Sequence, residues 1–380
     1  MGITRTDILI VGGGIIGASI AYYLARNNVD TLLVDKLEPA AGASGACDGY
    51  ICMQSKRTGR HLKLAKTSAQ LYQNLANELG EDIEYEKKGS LVIIENIKQL
   101  EESKKMIIVH RANKLDVRLL TTYQACTLEP ELSPQIYGAT YAPDDAQVNP
   151  LRVVYAYLKK ARERGALLLL RSEVVAIKMR KTKAEEALTK QDRIKFNKII
   201  NAAGIDSRAL AGMIGFDLPI QPRRGQVLVT EIAERIIDRL IACNCYLNLK
   251  FDDQLKGIGT TIEQTKDGNL LIGATREDAH CNIVTMPGIS AIASHAIKII
   301  PGLKDIKIIR AFSGIRPYNP QGLPLLGYAD TADNFINACG HNGDGITLAP
   351  ITGKLICDLI INNRQEIDES LLEEEQGVIV

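Results

Sequence analysis

The chain has 380 residues, and its 46 Lys plus Arg against 45 Asp plus Glu leave a formal net charge of +1, too small to steer it to nucleic acid or to an anionic membrane. A hydrophobic share of 46% with 24% charged residues is ordinary globular usage and excludes the disordered, collagenous and disulfide-scaffold classes. The length predicts about two or three domains. No run approaches the roughly 18 apolar residues of a membrane span. The opening lacks the apolar stretch of an export signal, which predicts a cytoplasmic protein whose 8 Cys stay reduced. They form no C-x-x-C, and Cys243-Asn-Cys245 is their only close pair. The segment from Met1 to Thr6 fits a myristoylation pattern only formally and is read as coincidence.

Taken in chain order, Asp7 to Val11 reads as a continuous apolar strand, Ile15 to Asn27 as a helix, and Asp30 to Val34 as a second strand. Between the first strand and the helix lies Gly12-Gly13-Gly14-Ile15-Ile16-Gly17, a G-x-G-x-x-G, and Asp35 closes the second strand. Gly12 permits the tight turn, Gly14 lets backbone N–H groups approach a pyrophosphate at the helix N-terminus, and Gly17 allows close packing of helix on strand. Asp35 can accept from ribose hydroxyls, which favours FAD or NAD over NADP; the motif alone leaves that choice open. Gly42-Ala43-Ser44-Gly45-Ala46 has only small residues, as a loop lying against phosphates or a flavin needs.

Further on, the spacing predicts helices over Leu62 to Leu79, Ser103 to Asn113 and Leu151 to Arg164, the last stopped by Gly165. Strands follow at Gly89 to Ile94, Leu167 to Leu170 and Glu173 to Met179, and the charged run Arg180 to Arg193 reads as a solvated hairpin tip. Lys198 to Gly204 is an apolar strand ending in small residues that can approach a dinucleotide from the other side. From Pro222 to Ala311, alternating strands such as Gln226 to Thr230, Gly257 to Ile262 and Leu270 to Ala274 predict an antiparallel sheet. A last helix opens near Pro350 and runs over Thr352 to Ile361, and the tail containing Glu373 to Glu375 reads as a solvated end.

These residues resemble the flavin amine and amino-acid oxidoreductases typified by D-amino-acid oxidase, glycine oxidase and sarcosine oxidase. The likeness spans nearly the whole chain. It rests on Gly12 to Gly17 with Asp35, the Gly42 to Gly45 loop, Ala202-Ala203-Gly204, Pro222 to Gln226, Ser313-Gly-Ile-Arg-Pro317, and Gly340-His341 leading to Pro350. The sequence most resembles the glycine oxidase-like branch, with the catalytic β subunits of D-hydroxyproline, proline, sarcosine and opine dehydrogenases. The run Cys47 to Lys56 looks more like those subunits than like the stand-alone oxidases.

The resemblance implies an α/β fold. A Rossmann-like FAD-binding domain (1–86, 146–221 and 313–380) is interleaved with an α+β substrate domain (87–145 and 222–312) built on an antiparallel sheet. It implies non-covalent FAD, since Cys339 does not match the attachment segment of covalent relatives. The ADP half would sit on Gly12, Gly14, Ile15, Ile16, Gly17, Asp35 and Lys36, with Ala43 and Ser44 facing the pyrophosphate. Val174 or Val175 would approach the adenine, and Ala203 and Gly204 the linker. Gly343, Asp344, Gly345, Ile346 and Thr347 would form a helix N-terminus near the flavin O2, where the helix dipole favours negative charge. Arg316 corresponds to the arginine that holds the substrate carboxylate, and its planar fork suits a bidentate grip. Tyr246 is placed on a strand that lines the substrate pocket. His341 is the alternative acid or base, set against a packing role.

The implied reaction is oxidation of a carbon–nitrogen bond of an amino or imino acid by hydride transfer to flavin N5. The implied partners are a small substrate and other subunits carrying further redox cofactors, with a location in the cytoplasm or at the inner membrane face. A stand-alone oxidase, an NAD-dependent dehydrogenase and a non-catalytic assembly subunit are the competing readings. The family's second pocket arginine is missing from Asn342 to Asp344, which argues against glycine itself.

Overall fold

A computed structural model describes residues 2–252, 255–364 and 366–367. Met1 and the acidic tail at Glu373 to Glu375 lie outside the described residues. The strand Gly2–Val11 pairs in parallel with Thr31–Val34 on one side and Asp192–Asn201 on the other, and Thr31–Val34 pairs with Leu167–Leu169. Its successive residues serve opposite faces: Ile8 and Ile10 enter one hydrophobic core, Leu9 and Val11 the other. This is why the run is apolar throughout, since both faces of a parallel sheet are covered. On one face pack the helices Ile15–Arg26, Arg60–Leu79, Pro150–Glu163 and Gly345–Ile361. Ala332–Cys339 joins the carboxyl end of Asp192–Asn201 in parallel, and Leu325–Ala329 folds back on it.

Among the described residues the second sheet has eight strands. Its order is Ile308–Tyr318, Gln221–Ile232, Asn269–Arg276, Gly257–Gln264, Leu240–Cys243, Ser90–Ile94, Gly138–Ala142, Arg118–Leu120. The expected antiparallel pattern holds except between Leu240–Cys243 and Ser90–Ile94, which run parallel. Helix Met286–Ile299 covers one face through Ile292, Ala296 and Ile299. Tyr50–Ile51, Ala146–Gln147 and Glu86–Lys87 form a small three-stranded sheet, with Ala146–Gln147 in the middle. Ile308–Tyr318 pairs along its length with Gln221–Ile232, so the division placed at 313 falls inside a strand of the second sheet.

Three local expectations are corrected. The run Arg180 to Arg193 is mostly strand, Lys183–Leu188 and the start of Asp192–Asn201. The charged residues mask two buried alanines, Ala184 and Ala187, with Asn334 donating to the Ala184 carbonyl and accepting from its N–H. The last helix begins at Gly345, five residues before Pro350. Pro350 has no N–H for the Ile346 carbonyl one turn back, and the Tyr72 hydroxyl donates to that carbonyl instead at 2.6 Å. Finally, Cys243 and Cys245 form a disulfide with Cα atoms 5.2 Å apart, within the bridgeable range. They meet where the strand Leu240–Cys243 turns into the helix Asn244–Phe251. The other six cysteines are free.

The tightest joint of the first sheet is at Gly17, where a Cβ would stand 1.9 Å from the Gly12 carbonyl oxygen. Gly17→Ala is expected to cost at least about 2 kcal/mol by overpacking. Gly42→Ala, whose Cβ meets nothing within 4 Å, should stay within about 0.5 kcal/mol of the parent. Denaturation midpoints in urea measure both.

Candidate active site

One cavity links the two sheets. At its first end Gly12 takes φ +117°, and a side chain there would strike the Ala202 carbonyl at 2.3 Å, so only glycine lets the two strand ends approach. Gly14 precedes the first turn of helix Ile15–Arg26 and supplies no side-chain cap. Ser44 accepts from the Ile15 N–H at 3.0 Å, bringing the small-residue loop onto that helix N-terminus. Asp35 accepts from the Gly13 N–H at 2.5 Å and the Leu37 N–H at 2.7 Å, so its carboxylate is fixed beside the glycines. Lys36 pairs with Asp206 at 2.7 Å, which raises its pKa.

Of the residues assigned to this end from sequence, Gly12, Gly14, Ile15, Ile16, Asp35, Lys36, Ala43, Ser44, Val174, Ala203 and Gly204 all line the cavity. Gly17 does not, because it packs helix on strand. Val175 does not either; it is exposed, and its N–H donates to the Leu188 carbonyl.

At the far end Arg316 and Tyr246 face each other with Gly343 to Ile346 beside them. Arg316 crosses the bare backbone of Gly225, where a Cβ would lie 2.3 Å from its Nη2. Its Nη1 donates to the carbonyls of Arg224 at 3.3 Å and Thr275 at 3.2 Å. Among the described residues Nη2 and Nε donate to no protein acceptor, and no carboxylate forms an ion pair with the group. Burial pulls the Arg316 pKa down, opposed by Asp48. Guanidinium nevertheless stays charged under any physiological condition. Tyr246 sits on the helix Asn244–Phe251 and not on a strand, and burial pushes its hydroxyl pKa well up.

Asp344 also lines the cavity, with its carboxylate engaged by three basic side chains. It accepts from Lys56 at 2.6 Å and Lys250 at 2.8 Å and lies 3.5 Å from His61. Burial pushes its pKa up, but Lys250, Lys56 and His61 outweigh that and hold the carboxyl well below its usual range. Burial likewise lowers the Lys250 pKa. Thr347 lies outside the cavity and donates to the Tyr50 carbonyl at 3.3 Å. His341 lines the cavity, yet its Nε2 is engaged with Thr352 at 3.0 Å, and burial lowers its pKa to about 3. A ring that is neutral and tied down favours the packing role. Sequence reasoning misses Asp48, Lys56, His61 and Lys250. A signal exists in the polar residues of the Cys47 to Lys56 run, but their partners lie as far as 288 positions away.

A dinucleotide cradle joined through one cavity to a desolvated arginine on an antiparallel sheet defines a flavin-dependent oxidoreductase. The cavity runs unbroken from Gly12, Gly14, Asp35 and Ser44 past Gly314 to Arg316, a donor and acceptor set that fits an extended FAD. The chain matches the FAD dependent oxidoreductase family, DAO, over residues 7–359 and belongs to that family. It is an FAD-dependent enzyme of the kind that acts on amines. It is 28% identical to HcnC, a hydrogen cyanide synthase subunit of Pseudomonas aeruginosa, over 95% of this chain and 94% of that one. It is also 28% identical to an opine oxidase subunit of Rhizobium meliloti, over 97% and 96%. The crystal structure of glycine oxidase from Geobacillus kaustophilus superposes with a TM-score of 0.89 at 26% identity, covering 99% of this chain and all of that one. Among the described residues no helix is long and apolar enough to cross a membrane.

Removing one partner of a buried pair strands the others, so Asp344→Asn should cost about 3–5 kcal/mol at pH 7. The folded-state pKa is depressed, so the stabilisation is present above the unfolded value near 3.8 and disappears as pH falls through the folded value. The gap between parent and variant should therefore narrow below about pH 4; urea titrations at pH 7 and at acid pH measure it.

Proposed function

We propose that this chain oxidises the carbon–nitrogen bond of a small amino or imino acid of the D-hydroxyproline, proline, sarcosine, glycine or opine type. It does so as the catalytic subunit of a hetero-oligomeric dehydrogenase. The observation that carries the reading is Arg316, a guanidinium enclosed by protein whose Nη2 and Nε have no protein acceptor among the described residues. A carboxylate held by that fork is fixed in plane as well as in position, which orients the neighbouring carbon. Gly225 leaves the space the fork needs, and Tyr246 lines the pocket beside it. FAD, held non-covalently by the glycines, Asp35 and Ser44 at one end and by the Gly343 to Ile346 backbone at the other, supplies the hydride acceptor when bound. Cys339 favours non-covalent attachment, because burial raises its pKa to about 12 and leaves little thiolate.

The role as a subunit draws on HcnC and the opine oxidase relative, each of which is one subunit of a larger enzyme. The similarity to glycine oxidase supports the second reading, a self-sufficient oxidase. Arg316→Ala should keep its FAD but lose about 2–3 kcal/mol in kcat/KM, measured by stopped-flow flavin reduction. An unchanged rate and affinity would remove Arg316 from the site. On the parent, an artificial dye should be reduced much faster than oxygen is consumed. Hydrogen peroxide formed at the rate of the dye reaction would establish the oxidase reading instead.

A further inference from the structure

The cavity presents an acid opposite its arginine. Asp48 follows the small-residue loop and lines the cavity with Arg316 and Tyr246. Strand Gly257–Gln264 holds it in place through Thr261 and Glu263, which stand two positions apart and so share a face. Thr261 donates to Asp48 Oδ2 at 3.2 Å, and Glu263 accepts from the Gly49 N–H through both oxygens at 3.0 and 3.2 Å. The Thr261 bond is the single hydrogen bond of the Asp48 carboxylate among the described residues, and no cation forms an ion pair with it. A carboxylate has about four acceptor sites, so most of its capacity faces the cavity.

Resting on the reading of this centre as an amino- or imino-acid oxidising site, we propose that Asp48 binds the substrate nitrogen opposite Arg316 and accepts the proton the ammonium must lose before oxidation. Arg316 and Asp48 together match the two charges of a zwitterion. The chemistry requires the proton to move, because an ammonium nitrogen has no lone pair with which to form C=N. The N–H bond breaks and its proton bonds to an Asp48 oxygen. The Cα–H bond would then break with its electron pair, FAD when bound would supply the acceptor for that hydride, and the nitrogen lone pair would close the C=N bond. Asp48 returns its proton to water when the imine leaves.

The charged and titratable groups facing Asp48 are Arg316 from strand Ile308–Tyr318, Tyr246 from helix Asn244–Phe251, Glu263 from strand Gly257–Gln264, and Cys47 beside it in sequence. Lys88 stands behind Glu263. Burial, and then Asp48, push the Glu263 pKa up to about 8. Glu263 is thus mostly protonated at neutral pH. Burial also keeps Cys47 and Tyr246 protonated, so neither competes as base.

The test uses the FAD-loaded protein with Asp48→Asn and Asp48→Glu. Asp48→Asn should slow flavin reduction at pH 7 by about 100-fold, the lower range for loss of a general base. The rate should recover as pH approaches that of the free amine, about 10, so the profile moves to higher pH. Asp48→Glu, which keeps a carboxylate, should retain the parent profile. Binding is read separately from the perturbed flavin spectrum, with proline and its nitrogen-free analogue cyclopentanecarboxylate as probes. The parent should prefer proline, and Asp48→Asn should lose that preference about 10-fold without weakening the analogue. An unshifted pH profile, or an unchanged preference between the probes, overturns the role of Asp48. Failure of every amino and imino acid to bleach the parent's flavin would overturn the underlying reading instead, and the probe comparison would still decide Asp48.

Discussion

A permanently charged guanidinium enclosed by protein is the constraint around which the active end of this molecule is arranged. Such a group cannot escape the cost of burial by losing its proton. Its surroundings therefore have to supply negative potential without filling the space around it. Two backbone carbonyls accept from Nη1, Asp48 faces it across the cavity, and the position where a side chain would collide with it is Gly225. Lys56 and Lys250 would add repulsion, but both are held by Asp344. Asp344 sits at the N-terminus of the last helix, so this ion cluster also fixes the helix end that borders the pocket. A carboxylate substrate completes that charge balance.

The other end of the cavity obeys a steric constraint. Gly12 and Gly17 exist because strand, helix and neighbouring strand approach too closely for a Cβ, and that approach brings backbone N–H groups and Asp35 together. The two ends are joined through Gly314 and Ala46, whose close contact carries the second sheet onto the dinucleotide loop. Anchoring a ligand at one end and reading a small zwitterion at the other are thus functions of two sheets that meet over one cavity.

The nucleotide end is legible in the sequence because its signals are local: a βαβ unit, three glycines and an acid lie within the first 35 residues. Arg316 is legible only through its resemblance to a family motif, since nothing in its immediate neighbours reveals burial. Tyr246 is placed on a strand only by the family resemblance, and the helix Asn244–Phe251 has little amphipathic period to reveal it. The early start of the last helix is masked by Pro350, whose missing donor is made good by Tyr72 from another helix. Asp48, Lys56 and Lys250 escape notice for the same reason: their partners, Thr261 for the first and Asp344 for both lysines, come from a distant strand and loop. Long-range charge pairing leaves no period in a sequence.

The most direct test of the paired roles of Arg316 and Asp48 is a crystal structure of the FAD-loaded protein with a bound, non-oxidisable amino-acid analogue. The analogue's carboxylate should lie in two parallel hydrogen bonds to Arg316, with its nitrogen within hydrogen-bond distance of Asp48. A ligand whose carboxylate lies on Lys250 or elsewhere, leaving the Arg316 fork untouched, would contradict those roles.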